Sequence, residues 1–447
     1  MRIKLDIPLT TKEIAAATNG KSCNNQRITN IVTDSREAEA GDLFIALNGE
    51  HFNGEEFIND IVAKGAIPFS TLNNEAGITV SNTKSGLLML AKFYKRKLTK
   101  LNKTIAITGS VGKTTTKEFL KVILSTAYKV HATAGNLNNE IGMPLTVLSA
   151  KADTEMLILE MGMNHVGEIK EMAIAVSPDI AIITKIGTAH IGNLGSREAI
   201  ALAKLEVTYG MKNDTLIVPF EEDLIPYKDT NISFSSSNNK ADYYIKSAEK
   251  YKTSIFEQGN MLIEQPLLFS ANHLNECLAA AIACSRKIGM SVSDINRGIS
   301  LISNDNLRQS LVIKGNYTFL CDCYNASLES VLADIDMMKQ IKGYNSKSLV
   351  LGELLELGDL SAKIHRKIGK SISPFDFSFL FLIGHHTKNI MDGAISIGFP
   401  RNRILFNPYI NNHAITANHI KINSVDGELL LLKGSRKVRM EQILNFF

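Results

Sequence analysis

The sequence predicts an α/β protein of three domains, the central one built on a doubly wound parallel sheet. Three observations lead there. At roughly 100 to 200 residues per domain, a chain of 447 residues holds two to four domains. From Thr104 onward, near-continuous apolar runs alternate with helical segments, the pattern of parallel strands buried on both faces between crossover helices. Finally, TIAITGSVGKTTTKEFL, residues 104 to 120, sets an apolar strand, a glycine loop and a helix start in direct succession. Composition agrees: hydrophobic residues make up 45% and charged residues 21%, with 30 glycines and 10 prolines. That excludes collagen-like, low-complexity and largely disordered chains.

Residues 1 to 100 read as a small α/β domain. A polar-capped helix pattern, TTKEIAAATNG, is followed by the short apolar runs ITNIVTD, GDLFIAL, AIPFST and GITV between Gly, Asn and Asp turns. The helix SGLLMLAKFYKRKLTKLNK closes it with Lys92, Lys95, Arg96, Lys97, Lys100 and Lys103. A basic helix can meet nucleic acid, but a solvated face or a seam between domains is the expectation here. Residues 101 to 305 form the central domain, running through TIAITGS, KTTTKEFLKVILSTAY, EMLILEMG, EIKEMAIAV, DIAIITKIG, REAIALAKLEVTYG and DTLIVPF to the helices NECLAAAIACSRKIG and VSDINRGISLIS. Residues 306 to 447 repeat the alternation in NYTFLCDCYN, LESVLADIDMMKQI, SLVLGELLELG, AKIHRKIGKSI, FSFLFLIG and GELLLLKGS, which predicts a Rossmann-like third domain.

Charge and cysteines narrow the setting. With 49 basic and 45 acidic residues the net charge is +4, too even to imply a nucleic-acid or membrane partner. Five cysteines, Cys23, Cys277, Cys284, Cys321 and Cys323, contain no CxxC pair; Cys321 and Cys323 share one face of a strand and read as packing. The amino terminus lacks the apolar core of a secretory signal, and no apolar run approaches the roughly 20 residues that span a bilayer. A cytoplasmic protein without membrane insertion is expected.

The sharpest chemical signal is the loop Thr108, Gly109, Ser110, Val111, Gly112, Lys113, Thr114, Thr115. Its backbone N–H groups can turn toward phosphate oxygens, and the helix amino end adds favourable partial charge. Lys113 can reach the outer phosphates and a Thr hydroxyl can ligate magnesium. This predicts an ATP site with Mg2+, in a shortened P-loop whose usual first Gly is Ile107.

The same loop form resembles that of the Mur ligase family, and the likeness extends along the chain. GNLNNEIGMPLTVL, LEMGMNHVGEI, IGTAHIGNLGSREAIALAKLEV, DCYNAS, LGELLELG and LLKGSRKVRME follow in order, after an amino-terminal TDSREAEAGDLFIALNGEHFNGEEFI similar to the family's UDP-sugar domain. The resemblance implies an ATP-dependent ligase that joins D-alanyl-D-alanine to UDP-N-acetylmuramoyl-tripeptide through an acyl phosphate, acting as a monomer. It implies roles for residues that spacing alone leaves as loop or helix positions. Glu160 becomes a magnesium ligand, and His190 a second-metal ligand or a close neighbour of that metal. Lys204 becomes a lysine carbamylated by carbon dioxide to help hold the second metal. Asn138 and Asn139 fall at the phosphates and the substrate, Ser35 and Arg36 at the uridine nucleotide. Asn272, Arg308 and Asp322 fall on the nucleotide, the last two from the third domain.

The chain also departs from the family pattern. Leu328 follows YNAS where the family has Pro, Asn272-His273 and Glu276 replace an HNxxN pattern on the adenine side, and Gly192 stands where an acidic residue is common. DNLR at 305 to 308 echoes a motif of the diaminopimelate-adding relative but precedes DCYN, so the echo is accidental. The alternatives are a sister ligase adding a single amino acid, or a nucleotide-binding regulatory module that has lost ligation.

Overall fold

The computed structural model describes residues 1–447 except 50–51, 212–214, 227–230, 249–251, 267–271 and 304–309. Arg308 lies outside the described residues. Three large sheets follow one another along the chain.

The first begins with an element that the turn-and-helix reading passed over. RIKLDIPLT alternates exposed and buried side chains, as a half-buried strand must, and forms strand Arg2–Thr10 against Arg27–Val32. Thr10 then caps helix Thr11–Ala17 reciprocally with Glu13. The parallel strands Leu43–Ile45, Ile67–Ser70 and Ile78–Thr79 continue this six-stranded sheet.

The basic helix is a seam. Thr83–Lys97 buries Leu87, Leu90, Ala91 and Tyr94 on one face. The Tyr94 hydroxyl accepts the Ile7 N–H and donates to the Ala150 carbonyl, each at 3.1 Å. Lys95 Nζ reaches the carbonyl of Val176, Lys97 pairs with Glu13 at 2.8 Å and Lys84 with Glu140 at 3.1 Å. Four residues of this helix therefore tie it to the first sheet and helix Thr11–Ala17 on one side and to the central domain on the other.

The central sheet has nine strands. Lys103–Thr108 lies between Met156–Glu160 and Ile180–Ile183, all parallel, and Val130–Ala132, Leu216–Pro219, Ile232–Ser235 and Tyr243–Ala248 extend the parallel part. Met156–Glu160 and Ile180–Ile183 are buried at every position, as strands covered on both faces require. The strands expected from sequence ended at DTLIVPF; Ile232–Ser235 and Tyr243–Ala248 lie beyond it, and Lys252–Glu257 and Asn260–Pro266 add an antiparallel edge. Helices Lys113–Leu124, Asn272–Ile288 and Val292–Ser300 pack together on one face.

The third sheet orders Ser310–Lys314, Tyr317–Asp322, Leu429–Lys433, Lys347–Gly352, Leu380–Ile383 and Ile404–Asn407, with all but the first strand parallel. FSFLFLIG supplies Leu380–Ile383, buried throughout. Cys321 and Cys323 pack with Phe319, Val438 and Met440. Among the described residues, no cluster of three or more His, Cys, Asp or Glu is arranged to hold a metal, and no helix is long and apolar enough to cross a membrane.

Candidate active site

The carboxyl ends of parallel strands are where such sheets receive ligands, and here the central and third sheets direct theirs into one cavity of about 380 Å³. Strand Lys103–Thr108 ends in the glycine loop. Gly109 and Gly112 take φ of 144° and 88°, which a side chain would resist, and Gly112 opens helix Lys113–Leu124. The loop is braced from the neighbouring strand: Ser110 N–H donates to the Lys185 carbonyl at 2.8 Å and the Thr184 hydroxyl to the Val111 carbonyl at 2.5 Å. Lys113 Nζ folds back onto the Gly109 carbonyl at 2.7 Å. The Thr108 and Ser110 hydroxyls are buried with no hydrogen-bond partner among the described residues, a donor set suited to an incoming phosphate.

Glu160, at the end of the adjacent strand, is fully buried. Thr114 Oγ1 donates to its Oε2 at 2.7 Å and Asn138 Nδ2 to its Oε1 at 2.8 Å. A buried carboxylate beside a Thr hydroxyl on the cavity wall is a hard oxygen set, and it fits magnesium. Asn139 lines the cavity and its Oδ1 accepts the Gly142 N–H at 2.8 Å, fixing the start of helix Gly142–Leu148.

His190 faces the same cavity from the loop after strand Ile180–Ile183. Lys204 does not line it. It is buried on helix Arg197–Leu205, and its pKa lies well below the ordinary lysine value. Burial is the first cause and the charge of Lys113 the second, with Glu168 and Glu206 opposing. Burial that disfavours the ammonium form favours the amine, the form that can attack carbon dioxide.

The third sheet contributes Asp322, which lines the cavity at the end of strand Tyr317–Asp322. Sequence reasoning missed its partners. Lys433, fully buried on the neighbouring strand, pairs with Asp322 at 2.5 Å and with Asp334 at 2.8 Å. Burial opposes the Lys433 charge, but the two carboxylates outweigh it and raise its pKa. Asp334 is pushed up to about 7, by burial first and by Asp322, against the pull of Lys433. Lys433 stood in plain view in LLKGSRKVRME; only strand pairing, Asp322 beside Lys433, gives it meaning.

Asn272 is exposed at the head of helix Asn272–Ile288, while His273, Glu276 and Cys277 from its first turns line the cavity. Ser35 and Arg36 lie in the first domain, outside the cavity lining. There Asp34 caps a short turn, Ser35–Glu37, and the Arg36 guanidinium holds the Asp34 carboxyl well below the usual carboxylate range.

Comparison with known proteins agrees with this architecture. The family model described as the Mur ligase middle domain matches residues 107–283, and that described as the Mur ligase family, catalytic domain, matches residues 27–94. The chain is 35% identical to the UDP-N-acetylmuramoyl-tripeptide–D-alanyl-D-alanine ligase of Bacillus subtilis (strain 168), over 98% of each chain. Among solved structures, MurF from Acinetobacter baumannii superposes with a TM-score of 0.86 at 28% identity, covering 99% of each chain. MurF ligase from Thermotoga maritima in complex with ADP superposes with a TM-score of 0.78 at 25% identity, covering 93% of this chain and 96% of the other. A shared order of motifs, a shared fold and likeness over nearly the whole length lead to one conclusion: the chain belongs to the Mur ligase family.

Proposed function

We propose that this chain is the ATP-dependent ligase that joins D-alanyl-D-alanine to the terminal carboxylate of UDP-N-acetylmuramoyl-tripeptide, giving the pentapeptide precursor of peptidoglycan. One observation carries the reading within the family: likeness over 98% of both chains to a ligase with that named reaction. The cavity supplies the chemistry. A carboxylate is a poor electrophile, so one of its oxygens first attacks the γ-phosphorus of ATP, forming an acyl phosphate and releasing ADP. The dipeptide amine then attacks the acyl carbon, loses a proton, and phosphate leaves as the amide forms.

Such phosphoryl transfer depends on positioning and electrostatics more than on a protein nucleophile. The P-loop N–H groups and Lys113 offset charge on the transferring group, and the Thr108 and Ser110 hydroxyls are donors for phosphate oxygens. Asp322, held by Lys433, accepts from ribose hydroxyls, and Asn138 and Asn139 border the phosphates and the tripeptide. Thr114 and Glu160 would hold magnesium, with His190 and a carbamylated Lys204 toward a second ion; when bound, the metal neutralises charge on the phosphates. Carbamylation would form an N–C bond between Lys204 Nζ and carbon dioxide with loss of one proton.

The division of labour we assign is residues 1–100 for the UDP-sugar, through Ser35 and Arg36, 101–305 for ATP, and 306–447 for closing over the nucleotide. The chain would act as a monomer in the cytoplasm. The test is phosphate release from ATP and magnesium with UDP-muramoyl-tripeptide, with and without D-alanyl-D-alanine, following products by mass. Dipeptide-dependent release with a pentapeptide product is expected. Release supported only by a single amino acid and a shorter peptide nucleotide would assign the chain to a sister reaction.

A further inference from the structure

One turn of the central domain is held from outside that domain. In the turn 188–191 the Thr188 carbonyl accepts the Ile191 N–H at 3.2 Å, and His190 stands inside it at φ 63°. The central domain grips the chain just before the turn, where the Ile186 carbonyl accepts from Arg197 at 3.2 Å and the Ile186 N–H donates to Glu222 at 3.3 Å. On the turn itself the third domain takes hold. Glu329 Oε1 accepts the Thr188 N–H at 3.0 Å and Oε2 accepts the Thr188 hydroxyl at 3.1 Å. Just past it, the Glu356 carbonyl accepts the Gly192 N–H at 3.0 Å, and the Glu356 carboxylate stands 2.8 Å from the His190 ring.

Glu329 lies in the first turn of helix Leu328–Gln340, where a carboxylate ordinarily answers the free N–H groups of its own helix. Here two serines do that work: the Ser327 hydroxyl accepts the Ser330 N–H at 3.3 Å, and the Ser330 hydroxyl accepts the Ser327 N–H at 3.0 Å. Glu329 is thereby released to reach across the domain boundary, and the buried Leu328 beside it anchors the helix head in the apolar core. The reach needs a glycine. A Cβ on Gly187 would stand 2.7 Å from both the Glu329 carboxyl carbon and its Oε2, and the third-nearest atom also belongs to Glu329. Gly187 has no left-handed φ to account for it, so what it supplies is room for that carboxylate.

We infer that Glu329 is a positioning residue: by taking both donors of Thr188 it fixes the turn 188–191, and with it the place from which His190 faces the reaction cavity. Two parallel bonds to one residue set direction as well as distance, whereas a single bond leaves the turn free to swing. The precision matters, because misplacing a functional group by about 1 Å can cost about 100-fold in rate. Since Glu329 belongs to the third domain, the turn is fixed only in the arrangement that also brings Asp322 to the cavity wall.

The inference rests on the ligase reading for the use of His190, so its test has an arm that needs no turnover. Hydrogen exchange on the full chain, read by mass spectrometry, should show residues 186–192 exchanging faster in Glu329→Ala while strand Lys347–Gly352 keeps its wild-type rate. In turnover, Glu329→Ala should lower kcat about 10- to 100-fold with ADP affinity within about threefold, because the P-loop is untouched. Glu329→Gln, which keeps one acceptor oxygen, should recover part of the loss. Gly187→Ala, which displaces the carboxylate without removing it, should mimic Glu329→Ala. Thr188→Val keeps the N–H and should cost less, and combined with Glu329→Ala it should cost no more than Glu329→Ala alone, since both remove one contact. Unchanged exchange in Glu329→Ala overturns the inference; so do additive losses in the double variant, and so does ADP affinity falling in step with kcat, which would make Glu329 a docking contact. If the wild type forms no pentapeptide, the ligase reading fails and the exchange rates alone decide whether Glu329 holds the turn.

Discussion

At the scale of single residues, the side chains that act on phosphate are the legible ones. Lys113 and Thr114 follow from the spacing of a glycine loop against a helix start, because the chemistry is local. Lys113→Ala should lower kcat by about 100-fold or more while leaving the melting temperature within about 2 °C, since the Lys113 head bonds to the Gly109 carbonyl in the turn before its own helix. Phosphate release and a thermal melt on the same preparation check both halves. Lys204 and Lys433 carry no such signal: each reads as an ordinary lysine until the fold buries it, one beside Lys113 and the other between two aspartates. His273 is similar. Burial first, then Lys433 and Lys185, push its pKa down to about 4, with Asp322 opposing. Between pH 6.5 and pH 4 the unfolded chain binds a proton that the folded chain refuses, so stability falls as pH drops through that window. The loss is at most about 1.4 kcal/mol per unit, and smaller here because the half-buried ring keeps some solvent contact. His273→Gln should remove about 2 kcal/mol of the acid-side loss, read from urea midpoints at pH 7 and pH 4.5.

At the scale of elements, periodicity identified the buried strands and the amphipathic helices, and missed what depends on partners. Tyr243–Ala248, Lys252–Glu257 and Asn260–Pro266 form a meander whose alternating polar and apolar residues are weaker signals than an all-apolar run, and the parallel-sheet pattern was already complete without them. The basic helix Thr83–Lys97 looked equally suited to solvent or to a seam; Tyr94 and Lys95 decide it by reaching across to Ala150 and Val176. Helix packing also sets the P-loop helix in place. A Cβ on Gly298 of helix Val292–Ser300 would stand 2.7 Å from the Ile123 Cα, a backbone atom that cannot turn away. Gly298→Ala should therefore separate the two helices, cost about 1–3 kcal/mol and weaken ADP binding, checked by denaturant titration and calorimetry.

At the scale of the whole molecule, the cavity draws its walls, among the described residues, from the central and third domains and none from the first. Saturating ADP at about 100 times its Kd should add about 2.7 kcal/mol to the stability of the unit spanning residues 101 to 447. Differential hydrogen exchange should show that protection there and leave residues 1 to 70 unchanged; uniform protection along the chain would contradict the placement. The sequence by itself determined the α/β class, the three sheets in order, the nucleotide loop and the family, because these rest on local spacing and on a pattern of burial that each segment carries alone. Tertiary structure alone decided that Lys433 holds Asp322, that Lys204 is buried with a lowered pKa and that Glu356 meets His190. Those depend on desolvation and on charges far apart in the chain, brought within about 3 Å only when strands pair and two domains close on each other.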